Sequence, residues 1–390
     1  MADKNYPAIP REEYGERWKR VQSMMTEAEI DVLIAYANDR EVFGQAHARW
    51  LFDFPVHLEP VCAVFARTGP PVVATGPEST DFIKNRTVVQ DAYILQEFVH
   101  PEEVYNLDNI LDMTALVSKV TTITPDLRVG VAGRHVMDVA TWEAIQKFLG
   151  TRKWVDVNEL FTRLRMVKSP AEVEVMRFGY GIAQKAFTAA VEAIEPGKTE
   201  MDVAAVVKSV MFQEGSDGFG IEPMIGAGPN AASVLCRSSR RRIEKNDIVR
   251  LAIITRYEGY CATIGRPVFV GAVDPAMRDR FDALCEARAA CIAAAKAGVP
   301  GADIEGAGRA VLRQHGHEYT YSGVHSIGCQ EFESPIFGPG VQGTVKENTM
   351  LSIEIPLFHQ PWGGLHLEDG IRIRQNDAEL MHDSRLFIQK

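Results

Sequence analysis

The sequence predicts a mixed α/β protein of two domains, an N-terminal α/β domain (residues 1–158) and a C-terminal α+β domain (159–390). Over the first 150 residues, short apolar runs alternate with helical patterns, which is typical of α/β domains. A chain of 390 residues is also long enough to bury two separate cores. Beyond the boundary, Ser169 and Pro170 form a strong helix-start signal, so a new helical element is expected there.

The N-terminal domain is predicted to contain two clear helices, over residues 11–30 and 139–148, because their apolar residues recur at helical spacing. An aromatic-rich segment, residues 49–60, is interpreted as local core. The alternative is a loop that carries His57 and Glu59 to a neighbouring active site. Strands are predicted from short apolar runs at residues 31–37, 63–67, 70–76 and 126–133.

The C-terminal domain is predicted to contain a long β-hairpin. Two runs rich in β-branched residues, 248–254 and 260–270, flank a short polar segment that ends in Glu258 and Gly259. A second helix start is indicated by the pair Thr199 and Asp202, whose spacing suits a capping box. A further helix is expected over residues 303–315.

Composition and charge narrow the possible partners. A net charge of -10 argues against nucleic acid. The six cysteines are scattered without a CxxC pair, which is typical of reduced thiols in a cytoplasm. The sequence has neither a signal-peptide pattern nor an apolar run of about 20 residues, so no membrane partner is expected. We therefore expect a soluble, cytoplasmic protein with a small-molecule substrate.

From about residue 164 onward, a series of motifs occurs in a fixed order. They are RMVKSPAE (165–172), IEPGKTEMDVAA (194–205), IGAGPNAA (225–232), the hairpin, VHSIGCQEFESP (324–335), NTMLSIEIPLF (348–358) and GGLHLEDGIRI (363–373). This ordered set resembles the superfamily of prolidase, methionine aminopeptidase and creatinase. The resemblance implies a C-terminal pita-bread catalytic domain, a creatinase-like N-terminal domain and a homodimer.

The resemblance also bears on metal binding. Metal-dependent members hold two ions with two aspartates of the hairpin, one histidine and two glutamates, a ligand set that suits divalent ions. The histidine position matches His325 and the glutamate positions match Glu354 and Glu368, but the aspartate positions match Ala252 and Thr263. A dinuclear centre is therefore not expected, and the predicted cofactor is none. A single divalent ion at His325, Glu354 and Glu368 stays open.

With creatinase as the metal-free example, the predicted function is hydrolysis of a C–N bond without a metal. The substrate would be small and cationic or rich in nitrogen, such as an amidine, guanidine or cyclic amide. The predicted catalytic residues are His325, Glu354, Glu368 and His366. His325 is the first choice of general base, because an imidazole beside a carboxylate titrates near neutral pH, and His366 is the second.

Substrate-binding positions are expected around these four residues. Strand residues two apart share a face, so Thr263 and Cys261 are expected on the same side of the hairpin. Acidic surroundings disfavour a thiolate, so Cys261 is expected to be a wall residue and not a nucleophile. Leu235 and Phe332 stand where the resemblance places histidines of relatives, so the creatinase and ectoine hydrolase reactions are not expected unchanged. The predicted binding set is Leu235, Ala252, Cys261, Thr263, Glu331 and Phe332.

Three alternative functions stay open. The first is a lyase acting on a small cationic substrate, and the second is a prolidase-like metallopeptidase. The third is a non-catalytic pita-bread binding protein, which the retained His325, Glu354 and Glu368 argue against, since carboxylates are rarely buried without a purpose or a partner.

Overall fold

The computed structural model describes residues 6–40, 42–89, 91–100, 102, 104, 110–318 and 323–390. The described residues divide into two compact units, one of Ile9–Arg165 and one of Met166–Lys390 together with residues 6–8. The predicted domain boundary between residues 158 and 159 stays a prediction.

The N-terminal unit is an α/β unit built on a mixed sheet. Its helices are α1 (Arg11–Glu27), α2 (Ala46–Phe52), α3 (Thr80–Arg86), α4 (Met113–Val117), α5 (Val139–Leu149) and α6 (Asn158–Met166). Its strands are β1 (Val32–Ala37), β2 (Val61–Ala66), β3 (Val72–Thr75), β4 (Ala92–Leu95), β5 (Ile110–Leu111), β6 (Val129–Ala132) and β7 (Trp154–Asp156). Within the described residues the strand order is β5-β4-β3-β2-β1-β6-β7.

The aromatic segment at residues 49–60 forms local core, as predicted. Trp50 and Phe52 are buried in α2, and Phe54 is buried just after it. Glu59 accepts hydrogen bonds from the backbone N–H groups of Glu78 (3.1 Å) and Ser79 (2.6 Å), ahead of the first turn of α3. A carboxylate there is favourable because helix N-termini carry unpaired N–H groups.

The C-terminal unit contains long helices and an antiparallel sheet. Its helices are α7 (Pro170–Ala193), α8 (Glu200–Glu214), α9 (Pro275–Ala294) and α10 (Gly301–Gln314). Its strands are β8 (Gly218–Ala227), β9 (Ile248–Tyr257), β10 (Tyr260–Phe269), β11 (Val324–Ser326), β12 (Glu333–Phe337), β13 (Met350–Gln360), β14 (Gly363–Ile373) and β15 (Ala378–Leu380). Among the described residues the order is β12-β11-β13-β14-β10-β9-β8, and β15 pairs with β14.

The predicted helix starts are confirmed by their caps. Ser169 and Glu172 form a reciprocal capping box at the start of α7, and Thr199 and Asp202 do the same for α8. Helix α7 packs against β9 and β10, where Gly179 faces Ala262. Since alternate strand residues point to opposite faces, the neighbouring positions of β10 are directed to the other face of the sheet.

The predicted hairpin is also confirmed. Strands β9 and β10 pair along their whole length, and Glu258 and Gly259 connect them with positive φ angles of 48° and 78°. Two positive φ values define the type of two-residue turn that matches the twist of a hairpin. The mixed α/β class with two sheets is therefore the observed fold. Among the described residues, none of the helices is both long and apolar enough to traverse a membrane.

Candidate active site

One face of the C-terminal sheet carries a row of four directly opposed residues. Ala252 of β9 pairs with Gly265 of β10, Gly265 pairs with Glu368 of β14, and Glu368 pairs with Glu354 of β13. Gly265 is required by space, because a Cβ atom at this position would lie 2.7 Å from the Cβ of Glu368 and from the ring of His366. The missing side chains at positions 252 and 265 thus leave room beside the two glutamates.

His366 joins the row two residues before Glu368, as strand alternation predicts. Its Nε2 lies 2.9 Å from Glu354 Oε1 and 3.6 Å from Glu368 Oε2. Ser352 donates a hydrogen bond of 2.8 Å to Glu368 Oε1. Burial lowers the pKa of His366 to about 4, against the opposing effect of Glu368. The imidazole is therefore neutral near pH 7 and shares one hydrogen bond with Glu354.

His325 and Glu331 approach the row from β11 and from the irregular segment after it. His325 Nδ1 lies 2.9 Å from the carbonyl oxygen of Ser326. Since a carbonyl only accepts, Nδ1 carries the proton and Nε2 keeps its lone pair. Both His325 Nε2 and Glu331 Oε2 are buried without a hydrogen-bond partner. Unpaired buried polar atoms are costly, so their convergence indicates a site for a ligand.

The three carboxylates of this site bind protons unusually tightly. Burial, followed by repulsion from Glu368 and Glu354, raises the pKa of Glu331 well above its usual range. Burial and the charge of Glu354 raise the pKa of Glu368 to about 7. Burial also raises the pKa of Glu354, although His325 and Arg250 oppose it. A cation bound among these groups would replace their protons.

A cavity of about 180 Å³ opens onto these residues. Its polar wall consists of Arg250, Glu331, Glu354, His366 and Glu368. Its apolar wall consists of Ile221, Met224, Val234, Leu235, Ile254 and Phe332. The combination of an apolar wall with a few convergent polar groups is typical of a binding site for a small molecule.

The predicted site residues fall into two groups. Six line the cavity directly: Leu235, Glu331, Phe332, Glu354, His366 and Glu368. The other four are buried on the same side of the sheet but do not line the cavity; they are Ala252, Cys261, Thr263 and His325. Burial and then Glu331 raise the pKa of the Cys261 thiol well above its usual range, which agrees with a wall residue and not with a nucleophile. The catalytic and binding roles of all ten stay predictions.

Arg250 is the residue that the sequence reasoning missed. Its position two residues before Ala252 puts both side chains on the same face of β9, so alternation was a usable signal. A charged residue within the apolar run of residues 248–254 was a second signal, because arginine is rarely buried without a purpose.

Two groups of side chains present converging metal-ligand atoms. One is His325, Glu331 and Glu368, and the other is Glu354, His366 and Glu368; within each group the ligand atoms lie within 4.8 Å of one another. Imidazole and carboxylate ligands suit Zn²⁺, Mn²⁺ and related divalent ions. The unpaired His325 Nε2 and Glu331 Oε2 favour the first group. The trio considered from the sequence, His325, Glu354 and Glu368, is not among such groups in the described part of the chain.

This sheet, with its histidines and glutamates on one face, defines a pita-bread protein. A model of metallopeptidase family M24 matches residues 174–375, more than half of the chain, and the chain therefore belongs to this family. The chain is 27% identical to the Xaa-Pro dipeptidase of Pyrococcus furiosus over 230 residues, which are 58% of this chain and 66% of that protein. It is 26% identical to the Xaa-Pro dipeptidase of Pyrococcus horikoshii over 239 residues, 61% of this chain and 68% of that one.

The solved structures agree on the fold. An X-Pro aminopeptidase from Thermotoga maritima superposes with a TM-score of 0.80 at 20% identity, over 96% of this chain and 99% of that chain. The predicted resemblance to the pita-bread superfamily is thus confirmed. That Ala252 and Thr263 stand where relatives carry metal-binding aspartates stays a prediction.

Two predictions are wrong. The predicted metal-independent hydrolysis of a non-peptide C–N bond is contradicted, because the chain belongs to a metallopeptidase family and its relatives include Xaa-Pro dipeptidases. The prediction of no cofactor is contradicted by the same membership. Both predictions rested on the expectation that Ala252 and Thr263 replace metal-binding aspartates. The family supports the coarser prediction of a hydrolase and favours the metallopeptidase alternative.

Proposed function

We propose that the chain is a metal-using peptidase that hydrolyses a small peptide, with a dipeptide ending in proline as the first candidate. The observation that carries the proposal is the convergence of His325, Glu331 and Glu368 beside a small cavity in a chain of metallopeptidase family M24. The cavity of about 180 Å³ lies below the usual range for ligand pockets, which favours a short substrate.

In this proposal, His325 Nε2 and the carboxylates of Glu331 and Glu368 hold one divalent ion. The hydrogen bond from His325 Nδ1 to the Ser326 carbonyl fixes the ring so that Nε2 points its lone pair into the site. Ser352 orients Glu368 through its 2.8 Å hydrogen bond. A bound ion supplies Lewis-acid polarisation of the scissile carbonyl.

Glu354 acts as the general base in this proposal and accepts the proton of an attacking water. The neutral imidazole of His366, whose Nε2 lies 2.9 Å from Glu354 Oε1, orients the carboxylate. Phe332 and Ile254, on the apolar wall, pack against the substrate side chain and exclude bulk water. Each group acts from a rigid strand or is packed against one, which keeps the geometry fixed before substrate arrives.

Metal content and hydrolysis test the proposal together. The protein is stripped with EDTA, reloaded separately with Mn²⁺, Co²⁺ or Zn²⁺, and analysed by mass spectrometry of the metals and by hydrolysis of Ala-Pro. We expect one ion per chain and hydrolysis that chelation removes. Absence of bound metal and of hydrolysis with all three ions would refute the proposal; peptide binding without turnover would favour the non-catalytic alternative.

A matched pair of variants locates the ion. Glu331→Gln removes one proposed ligand, whereas Glu347→Gln changes an exposed glutamate. Loss of an outer partner of a metal ligand already costs about 10- to 100-fold in affinity, so Glu331→Gln is expected to weaken binding at least that much. Equal metal affinities of the two variants would exclude Glu331 as a ligand. The predicted homodimer and cytoplasmic location stay predictions.

A further inference from the structure

Arg250 is a buried cation directed into the cavity. It lies on β9, its side chain is about 1% exposed, and it lines the cavity together with Glu354 and His366. Strand alternation puts it on the same face as Ala252 and Ile254. None of the steps proposed above uses this residue.

The guanidinium is held in place by neutral groups. Arg250 donates two hydrogen bonds of 2.9 Å, one from Nη1 to the carbonyl oxygen of Val234 and one from Nη2 to Cys236 Sγ. Its Cζ lies 4.7 Å from the ring centroid of Phe358, a cation–π distance. These contacts fix the plane of the guanidinium without neutralising its charge.

Among the described residues, no carboxylate forms an ion pair with the guanidinium of Arg250. Its Nε also has no hydrogen-bond partner in the described part of the chain. The nearby Glu354 directs Oε1 to His366. Because an unpaired buried donor is costly, the open Nε indicates a place for a hydrogen-bond acceptor in the cavity.

We propose that Arg250 binds the C-terminal carboxylate of the peptide substrate and thereby selects dipeptides. This rests on the proposed function. A planar guanidinium with free donors matches a carboxylate, which takes two parallel hydrogen bonds. A single negative charge suits a cavity that already contains three glutamates better than a doubly charged phosphate does. The cavity volume of about 180 Å³ suits a short substrate.

The test compares a free acid with its amide. Ala-Pro and Ala-Pro-amide differ only in the group that Arg250 is proposed to bind. For the metal-loaded wild type, we expect kcat/KM to be about 30-fold or more higher for the acid, because removing one partner of a buried charge pair usually costs at least that factor. Equal kcat/KM values would overturn the role of Arg250 and leave the peptidase function intact.

Variants of Arg250 test whether its side chain causes the preference for the free acid. Arg250→Met is expected to reduce the acid-to-amide ratio to about one, and Arg250→Lys to keep part of it. The control is Arg237→Met, an exposed arginine of the neighbouring loop that pairs with Glu222, and it should keep the wild-type ratio. A wild-type ratio in folded Arg250→Met would overturn the proposal. If that variant does not fold, Arg250→Lys decides, because a wild-type acid-to-amide ratio in Arg250→Lys would also overturn the need for a planar guanidinium.

A binding measurement separates this inference from the proposed function. L-proline and L-prolinamide are added to metal-free protein, and the melting temperature is recorded. We expect proline, but not prolinamide, to stabilise the wild type and Arg237→Met, and neither probe to stabilise Arg250→Met. This result without any peptide hydrolysis would uphold the anchor while refuting the peptidase. Equal stabilisation by both probes, or by neither, would overturn the anchor.

Discussion

Removal of Asp369 tests what holds the site-bearing strand β14 in place. Asp369 follows Glu368 and points to the opposite face, where it is fully buried. It accepts hydrogen bonds of 2.6 Å from Arg266 and from Arg288, and His382 Nε2 lies 3.2 Å away. Burial alone would raise the pKa of Asp369, but the two arginines and His382 outweigh it and hold the pKa well below its usual range.

Asp369→Ala would remove the common counter-charge of two arginines. The side chain of Arg266 is fully buried, and that of Arg288 is 13% exposed. Breaking such a buried pair from one side costs about 3–5 kcal/mol. For a unit of this size, 1 kcal/mol shifts the melting temperature by about 2–4 °C, so we expect a decrease of roughly 6–20 °C. Differential scanning calorimetry or circular dichroism measures it. The control is Asp377→Ala, whose exposed pair with Arg374 should contribute less than about 1 kcal/mol.

A double-mutant cycle with Arg266→Met distinguishes the ion pair from simple packing. If the charge pair causes the destabilisation, Asp369→Ala should lower the free energy of unfolding by less in the Arg266→Met background, because Arg266 is then no longer present as a buried cation without its counter-charge. A melting temperature of Asp369→Ala within about 2 °C of the Asp377→Ala control, or additive effects of Asp369→Ala and Arg266→Met, would exclude a stabilising charge pair.

Three further substitutions have defined outcomes. Lys168→Met removes the ammonium that lies 2.9 Å from the buried carboxylate of Glu333 and should cost about 3–5 kcal/mol in urea denaturation; a loss below about 1 kcal/mol would contradict this. Gly370→Ala puts a Cβ atom 1.8 Å from the hydroxyl oxygen and 2.0 Å from the Cζ atom of Tyr180, so the melting temperature should fall; an unchanged melting temperature would contradict the clash. Ser169→Ala removes the cap of α7 and should cost about 1 kcal/mol by the same denaturation; an unchanged midpoint would exclude the cap.

Features that depend on local chemistry could be predicted from the sequence. The hairpin followed from two β-branched runs around Glu258 and Gly259, and the start of α7 followed from Ser169 with Glu172. Strand alternation also placed His366 beside Glu368, because that relation involves residues two apart. In each case the determining atoms lie within a few residues of one another.

The meeting of Glu331 with Glu368 could not be predicted in the same way. Glu331 lies between β11 and β12, in a segment without strand or helix periodicity, so no repeat indicates where its side chain points. It meets Glu368 only because β11 and β14 both flank β13. Long-range sheet order, and not sequence spacing, brings these two carboxylates together.

The balance of charge favours one ion over two. With Glu331, Glu354 and Glu368 ionised and Arg250 protonated, the cavity wall carries a formal charge of −2, since three negative charges face one positive charge. One divalent ion offsets that charge, whereas two would leave the buried site positive by the same amount, which a low-dielectric interior disfavours. Carboxylates at positions 252 and 263 would have supplied the two charges that a second ion needs. Under the proposed function, one ion with Glu331 as a ligand and Arg250 left for the substrate is therefore the arrangement that these charges favour.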